Sequence, residues 1–143
     1  MDLTARVLDT DGSLLLDLNA GPYRVKTMPD HARVWQGERN TSPWVDGDAP
    51  AGPETLAVVV KELEVRIRAA SWSAVEDAYE ALIDAVERPR WGLALGAQGA
   101  VRTYRVTQRA SSRSPMPADA VVNRTRVVSL TVSCQPMATL TGV

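Results

Sequence analysis

Apolar and polar residues alternate along most of the chain with the two-residue period of β-strands. Two such segments, Leu3–Leu8 and Leu14–Leu18, flank the sequence DTDGS. Its Asp-Gly pair supplies the positive φ angles that a tight hairpin turn requires. A third short segment, Gly21–Met28, continues the alternation. The N-terminal part of the chain is therefore predicted to form a hairpin followed by one more strand.

The C-terminal half predicts further strands. WGLAL and VRTYRVTQ flank the turn sequence GAQG, which indicates a second hairpin. Ala110–Asp119 contains two prolines and is predicted to be a loop. The strand predicted after it, over Val121–Cys134, would span about 45 Å at about 3.3 Å per residue. Because a small domain does not need so long a strand, part of it is expected to project or to pair with a neighbour.

The segment Thr55–Ala70 carries the best strand signal, but its apolar phase changes part-way. Val58 and Val60 share one face, whereas Leu63 and the alternate residues after it share the other. A slip of one residue moves every following side chain to the opposite face. The sequence predicts either a bulge at Lys61–Glu62 or a strand that crosses between two sheets. Since this position lacks Gly, Asn and Pro, one long bent strand is favoured.

A single helix is predicted at about residues 73–88. Ser73 and Glu76 have the spacing of a capping box, and Pro89 is expected to stop the helix after Arg88. One apolar stripe repeats at helical spacing: Val75, Ala78, Tyr79, Leu82, Ile83 and Val86. The opposite, acidic face comprises Glu76, Asp77, Glu80, Asp84 and Glu87. The helix is therefore expected to brace a sheet and to leave its acidic face in solvent.

Residues 1–143 are predicted to form one domain, of the α+β class but mainly β. The expected architecture is a split β-barrel or β-sandwich of six to seven strands with the helix on its flank. A long loop at about 29–54 interrupts the strands and carries Trp35 and Trp44. Loops of this length inside compact domains are commonly functional or disordered, and large indole rings favour docking onto a surface.

Composition and motifs argue against an enzyme. The formal net charge is −1, which does not support a polyanion-binding protein. His31 is the only histidine, and it lies in a polar loop without a GxSxG turn. The sequence DTDGS lacks the glutamate that a calcium loop needs at its twelfth position. No catalytic, cofactor or metal site is predicted, and no cofactor is expected. Cys134, the single cysteine, is expected to be a small buried hydrophobe.

The ends and apolar runs of the chain indicate no membrane segment. MDLTARVLDTDG has no apolar core of a signal peptide. The longest purely apolar run, LAVVV, is far shorter than the roughly 20 residues that span a bilayer. A soluble protein made in the cytosol is expected.

The order of elements from Ser42 to Leu95 resembles a phage family. SPWVDGD is followed by the long strand, the Ser/Trp-initiated helix and the hairpin through VRTYRV. This pattern is similar to the small minor tail proteins of long-tailed phages and to the N-terminal domain of distal tail proteins. The resemblance implies a fold related to the tail tube, and a virion protein assembled in the host cytoplasm. The chain is too short for the second, outer domain of a full distal tail protein.

The resemblance also implies partners. Copies of the chain would form a ring, commonly of six subunits, near the tail tip or tube end, in contact with neighbouring tail proteins. DNA would pass through the ring without sequence-specific recognition. Under this interpretation Trp35 and Trp44 would anchor the long loop on an adjacent subunit or ring. Docking of both onto their own core is an equal alternative. Arg124 and Arg126, in phase with the core face of the last strand, would pair across subunits.

Two alternative functions stay open at the level of the sequence. One is a tail terminator or head-completion ring, which is similar in size but usually richer in helix. The other is a small adaptor module that binds nucleic acid or a receptor. Arg102, Tyr104 and Arg105 form a basic strand with one aromatic residue, which is a thin platform for stacking bases.

Overall fold

The computed structural model describes the backbone of residues 3–29, 35–36, 39–41, 48–50, 55–56 and 58–141, and the side chains of 3–29 and 58–135. The strands are β1 (Leu3–Leu8), β2 (Leu14–Asp17), β3 (Tyr23–Thr27), β4 (Trp35–Gln36), β5 (Arg39–Thr41), β6 (Asp48–Pro50), β7 (Thr55–Leu56), β8 (Val59–Arg68), β9 (Trp91–Ala97), β10 (Ala100–Val106), β11 (Ser111–Arg113) and β12 (Thr125–Thr141). The helices are α1 (Trp72–Val86) and α2 (Ala120–Asn123).

Eight strands form one antiparallel sheet that curls into a nearly closed barrel. Their order is β2-β1-β9-β10-β12-β8-β3, and β11 pairs with β12 beyond the end of β10. The predicted mainly-β barrel with a flanking helix is confirmed, with eight strands in place of six to seven. Within the predicted loop at 29–54 and just after it, β4 pairs with β7 and β5 pairs with β6. His31 and Trp44 lie outside the described residues.

Both predicted hairpins are confirmed. In the first, the Asp9 amide donates to the Ser13 carbonyl at 2.8 Å, and Gly12 adopts φ 89°. In the second, Gln98 and Gly99 form a two-residue turn with φ angles of 54° and 81°. Positive φ at both central positions is the geometry that matches the twist of paired strands. This hairpin places β9 between β1 and β10, at the centre of one half of the sheet.

The long last strand is paired within the chain, which corrects the expectation that part of it projects. From Thr125 to Cys134 it pairs with β8, and from Cys134 to Thr141 it pairs with β10. The strand is long because it pairs with β8 along its first part and with β10 along its second part. The strand begins at Thr125 rather than Val121, since residues 120–123 form α2. The predicted burial of Cys134 is confirmed, and Val128, Leu130 and Val132 face the core with it.

The predicted phase change in β8 is wrong. Its buried positions keep one period throughout: Val59, Lys61, Leu63, Val65 and Ile67. Val58 and Val60 instead lie on the outer face and are exposed. A core-facing position of the strand is occupied by Lys61, which interrupts the apolar pattern without changing its phase. No bulge is required at Lys61–Glu62, where the ladder to β12 runs without a break.

Helix α1 packs on the inner face of the sheet and closes the core. Val75, Leu82, Ala85 and Val86 are buried, and the Tyr23 hydroxyl donates to the Ala78 carbonyl at 2.7 Å. The N-cap lies two residues earlier than predicted, at Ser71 and not at Ser73, and the helix begins at Trp72. The Ser71 Oγ accepts from the Ala74 amide at 3.2 Å, and Trp72 packs partly buried against the core.

Carbonyl groups at the C-terminal end of α1 accept hydrogen bonds from a segment that is distant in the sequence. The Ala110 amide donates to the Val86 carbonyl at 3.0 Å, and Arg109 Nε donates to the Glu87 carbonyl at 3.1 Å. A cation at this end also complements the helix dipole. These contacts fix the connection between β10 and β11 onto the helix end.

Candidate assembly interface

The four predicted interface residues fall in different settings. The backbone of Trp35 lies in β4, opposite Leu56, and Trp44 lies outside the described residues. Arg124 is exposed just before β12, where it adopts φ 50° and its Nη1 donates to the Ala70 carbonyl at 2.9 Å. Arg126 is held inside the chain. The assignment of these residues to a subunit interface stays a prediction.

Arg126 joins three separate segments of the chain. Its Nη1 lies 2.6 Å from the Glu76 carboxylate of α1, and its Nε donates to Ser114 Oγ at 2.8 Å. Its guanidinium also stacks 3.8 Å from the centroid of the Tyr79 ring. Only 14% of the Arg126 side chain is exposed, whereas 40% of the Glu76 side chain is, so solvent partly screens the ion pair. Glu76 is therefore a partly exposed partner of β12. The other residues of the predicted acidic face are exposed, namely Asp77, Glu80, Asp84 and Glu87.

Replacing Arg126 is expected to loosen this junction. Arg126→Met should lower the free energy of unfolding by roughly 2 kcal/mol, because hydrogen bonds to charged groups contribute about 1.5–3 kcal/mol each. Arg66→Met, at an exposed position of the neighbouring strand β8, is the matched control and should change little. Urea unfolding of both variants measures the difference. Equal stability of the two variants would contradict the structural role given to Arg126.

One lysine of β8 is buried on the core-facing side of the sheet. Lys61 is 2% exposed, and its Nζ lies 4.3 Å from the centroid of the Tyr104 ring. A desolvated ammonium over an aromatic face is a favourable cation–π geometry. The neighbouring Cys134 is fully buried, and burial raises the pKa of its thiol to about 11, with the Lys61 charge opposing part of the rise. The thiol is therefore protonated at neutral pH and is not a nucleophile.

Stability should fall at alkaline pH because of this thiol. Its pKa in the folded chain, about 11, lies above the ordinary value of 9.0. Below pH 9 the thiol is protonated in both the folded and the unfolded chain. Between pH 9 and about pH 11 only the unfolded chain releases the proton, so the free energy of unfolding falls as pH rises. Urea unfolding of the wild type and of Cys134→Ala, at about pH 8 and about pH 10.5, measures this. The alkaline loss should be smaller in Cys134→Ala, and equal losses would contradict the assignment.

The described residues contain no group of three or more His, Cys, Asp or Glu side chains that could hold a metal ion. None of the described helices is long and apolar enough to cross a membrane.

A groove opens where β9 begins and β10 ends. It has a volume of about 930 Å³. Trp91 and Val106 lie buried behind its wall and Leu8 is partly exposed. Its charged lining residues are Arg90 and Arg105, which are exposed, and Asp9, which is partly exposed. No local sequence pattern predicts this groove, because its residues come from four strands that only the sheet topology brings together.

An exposed apolar segment lies elsewhere on the surface. Met116, Val121 and Val122 are all solvent-exposed, within the connection from β11 to β12. Met116 lies in the predicted loop Ala110–Asp119, whereas Val121 and Val122 fall at the start of the predicted strand Val121–Cys134, so the sequence did not predict that the three would be exposed together.

Solved phage proteins share this architecture. One chain of the phage P2 baseplate, in its activated conformation with Ca, matches with a TM-score of 0.68 and 10% identity, over 94% of this chain and 44% of that chain. A chain of the same baseplate with Sr matches with a TM-score of 0.63 and 10% identity, over 94% of this chain and 44% of that chain. SPP1 Dit matches with a TM-score of 0.60 and 17% identity, over 96% of this chain and 52% of that chain. It is a paradigm of the hub adsorption apparatus in phages that infect Gram-positive hosts.

The fold is that of phage distal tail proteins. The resemblance drawn from the strand–helix–hairpin pattern is confirmed at the level of the fold. The chain spans about half the length of the solved chains it matches. No protein-family model and no curated protein matches the sequence.

Proposed function

We propose that this chain is a structural component of a phage tail and not an enzyme. The observation that carries the proposal is the match of 94–96% of the chain to baseplate and hub proteins. At 10–17% identity the likeness lies in the fold, so the function rests on the shared architecture together with the surface features described above. The chain would then be part of the virion, in contact with neighbouring tail proteins, after assembly in the host cytoplasm.

The finer proposal is a closed ring of six copies near the tail tip or the end of the tube. DNA would pass through its centre without sequence-specific recognition. Residues 1–143 would act as one domain, with the long loop at about 29–54 reaching an adjacent subunit or ring through Trp35 and Trp44. Arg124, which is exposed, would be available for contacts between subunits, whereas Arg126 would support the interface by fixing the local fold.

Native mass and negative-stain images of the purified chain test the proposal. A closed ring with an open centre and a mass six times the 15.5 kDa of one chain is the expected result. A ring of another size would correct the stoichiometry alone. A monodisperse monomer that binds oligonucleotides, with affinity falling steeply as salt rises, would contradict the structural role and favour an adaptor module.

A further inference from the structure

We propose that the outer face of strands β3 and β8 binds the phosphodiester backbone of DNA through three arginines. They are Arg24 of β3 and Arg66 and Arg68 of β8, and together they are named the arginine patch. This inference rests on the proposed ring, because it names the surface that would meet the DNA in the centre of that ring. The contact would not depend on the DNA sequence.

The ladder between β3 and β8 brings the three side chains together. Arg24 lies directly opposite Arg66, and Arg68 follows Arg66 by two positions. All three are exposed at positions that alternate with buried ones, so they point away from the core. Directly opposite residues of an antiparallel pair have Cβ atoms about 5 Å apart, and diagonal neighbours lie about 7–8 Å apart. Like charges placed so closely destabilise a sheet, and a bound anion would relieve their repulsion.

The charges of the arginine patch are not neutralised within the described part of the chain. No described carboxylate forms an ion pair with any of the three arginines. Arg24 Nη1 donates to the carbonyls of Gly21 and Tyr23, at 3.1 and 2.6 Å. These bonds orient the Arg24 side chain and leave its charge in place. Three guanidinium groups are therefore available to one anionic ligand.

Two carboxylates share this face of β8 without cancelling the patch. Glu64 is already held by Lys26, whose Nζ lies 3.1 Å from the Glu64 Oε1. Glu62 is four positions from Arg66, which is about 13 Å along the strand. The formal net charge of −1 conceals the patch, since α1, on the inner side of the sheet, carries three exposed carboxylates.

The patch matches the chemistry of a DNA backbone. A guanidinium group is planar and always charged, and it pairs with phosphate oxygens through two parallel hydrogen bonds. Duplex DNA carries one charge per about 1.7 Å of its axis, so several phosphates fall within the span of the patch.

The neighbours of the patch add no contact to a base edge. Across β12 these neighbours are Thr125 and Val127. Val127 has no polar side-chain atom, and the Thr125 hydroxyl already donates to the Asn123 carbonyl at 2.9 Å. Phosphate contacts alone carry no sequence information, and they let a protein slide along DNA.

Two double variants that remove equal charge test the patch in the full chain. Arg66→Gln with Arg68→Gln removes two charges from the patch, whereas Arg88→Gln with Arg102→Gln removes two exposed charges elsewhere. Fluorescence anisotropy follows binding of a labelled DNA duplex between about 50 and 200 mM salt. Each phosphate contact contributes about 0.9 to the slope of log K against log salt. The patch variant should therefore lose about 1.8 of this slope and bind about tenfold more weakly or worse, and the control variant should keep the wild-type slope.

A charge-conserving variant separates the charge of the patch from its fold. Arg66→Lys with Arg68→Lys keeps both charges and should retain most of the slope. Thermal melting followed by circular dichroism shows that each variant is folded. Equal losses in the two glutamine variants would overturn the patch, as would a wild type that binds no duplex at about 50 mM salt.

Native mass, measured on the same samples, judges the ring separately. A wild-type ring that binds no duplex would overturn the patch and leave the proposed ring intact. A monomer whose DNA binding depends on Arg66 and Arg68 would support the patch and contradict the ring. A ring whose DNA binding is lost in the patch variant alone would support both.

Discussion

Leu82→Asp is expected to leave the chain unfolded or aggregated. Leu82 is fully buried on the face of α1 that closes the core. An ionised carboxylate there would lose its hydration without gaining a partner, which costs several kcal/mol, and the packing of the leucine would be lost as well. The sum is of the same order as the whole stability of a typical domain, about 5–15 kcal/mol.

Circular dichroism and thermal melting of the purified variant measure this effect. The matched control is Ala81→Asp, which places the same side chain at an adjacent, exposed position of the same helix and should melt close to the wild type. A soluble Leu82→Asp protein with an unchanged melting temperature would remove α1 from the core and contradict the fold described here.

Gly96→Ala is expected to be the most disruptive single-methyl change in the sheet. A Cβ built at Gly96 would come 2.0 Å from the Ala100 carbonyl oxygen and 2.7 Å from Val101 Cα. Both atoms belong to the backbone of β10, so the β9–β10 hairpin must shift to accept the methyl group. Overpacking of this kind costs about 1–3 kcal/mol and sometimes more, and here no flexible side chain can move aside. We expect a loss of about 3 kcal/mol.

The control lies on the same strand. At Gly92 an added Cβ would meet Leu8 Cβ and Thr103 Cγ2 at 3.5 Å, which is ordinary van der Waals contact. Gly92→Ala should therefore change stability by less than about 1 kcal/mol. Urea unfolding of both variants gives the comparison. Equal losses would mean that the close approach at Gly96 does not exist in solution.

The sequence predicted elements whose signals are local. Both hairpins follow from turn chemistry, and α1 follows from an apolar stripe at helical spacing. The β8 phase could not be read correctly, because burial of Lys61 depends on the Tyr104 ring of a strand more than 40 positions later. The start of α1 was displaced for a similar reason: Glu76, which seemed to complete a capping box with Ser73, pairs with Arg126 of β12.

Short elements without a period of their own were not predicted. Strand β11 and helix α2 lie within or beside the predicted loop Ala110–Asp119. Strand β11 is specified by its ladder to β12, and only one residue of α2 is buried. The groove and the exposed apolar segment were missed because they are defined by strand order and by exposure, and neither is encoded in a local pattern. Arg126 was identified, but its partners within the chain were not.

Strand β12 has a consequence for synthesis of the protein. It follows every other described strand in the chain, yet it is the ladder partner of β8, β10 and β11. While the chain emerges from the ribosome, β8 and β10 are exposed before the strand that joins them exists. Unpaired strand edges invite wrong association. Folding of this sheet must therefore finish after translation of β12, and slow translation upstream of Thr125 would lengthen the period in which nascent chains can aggregate.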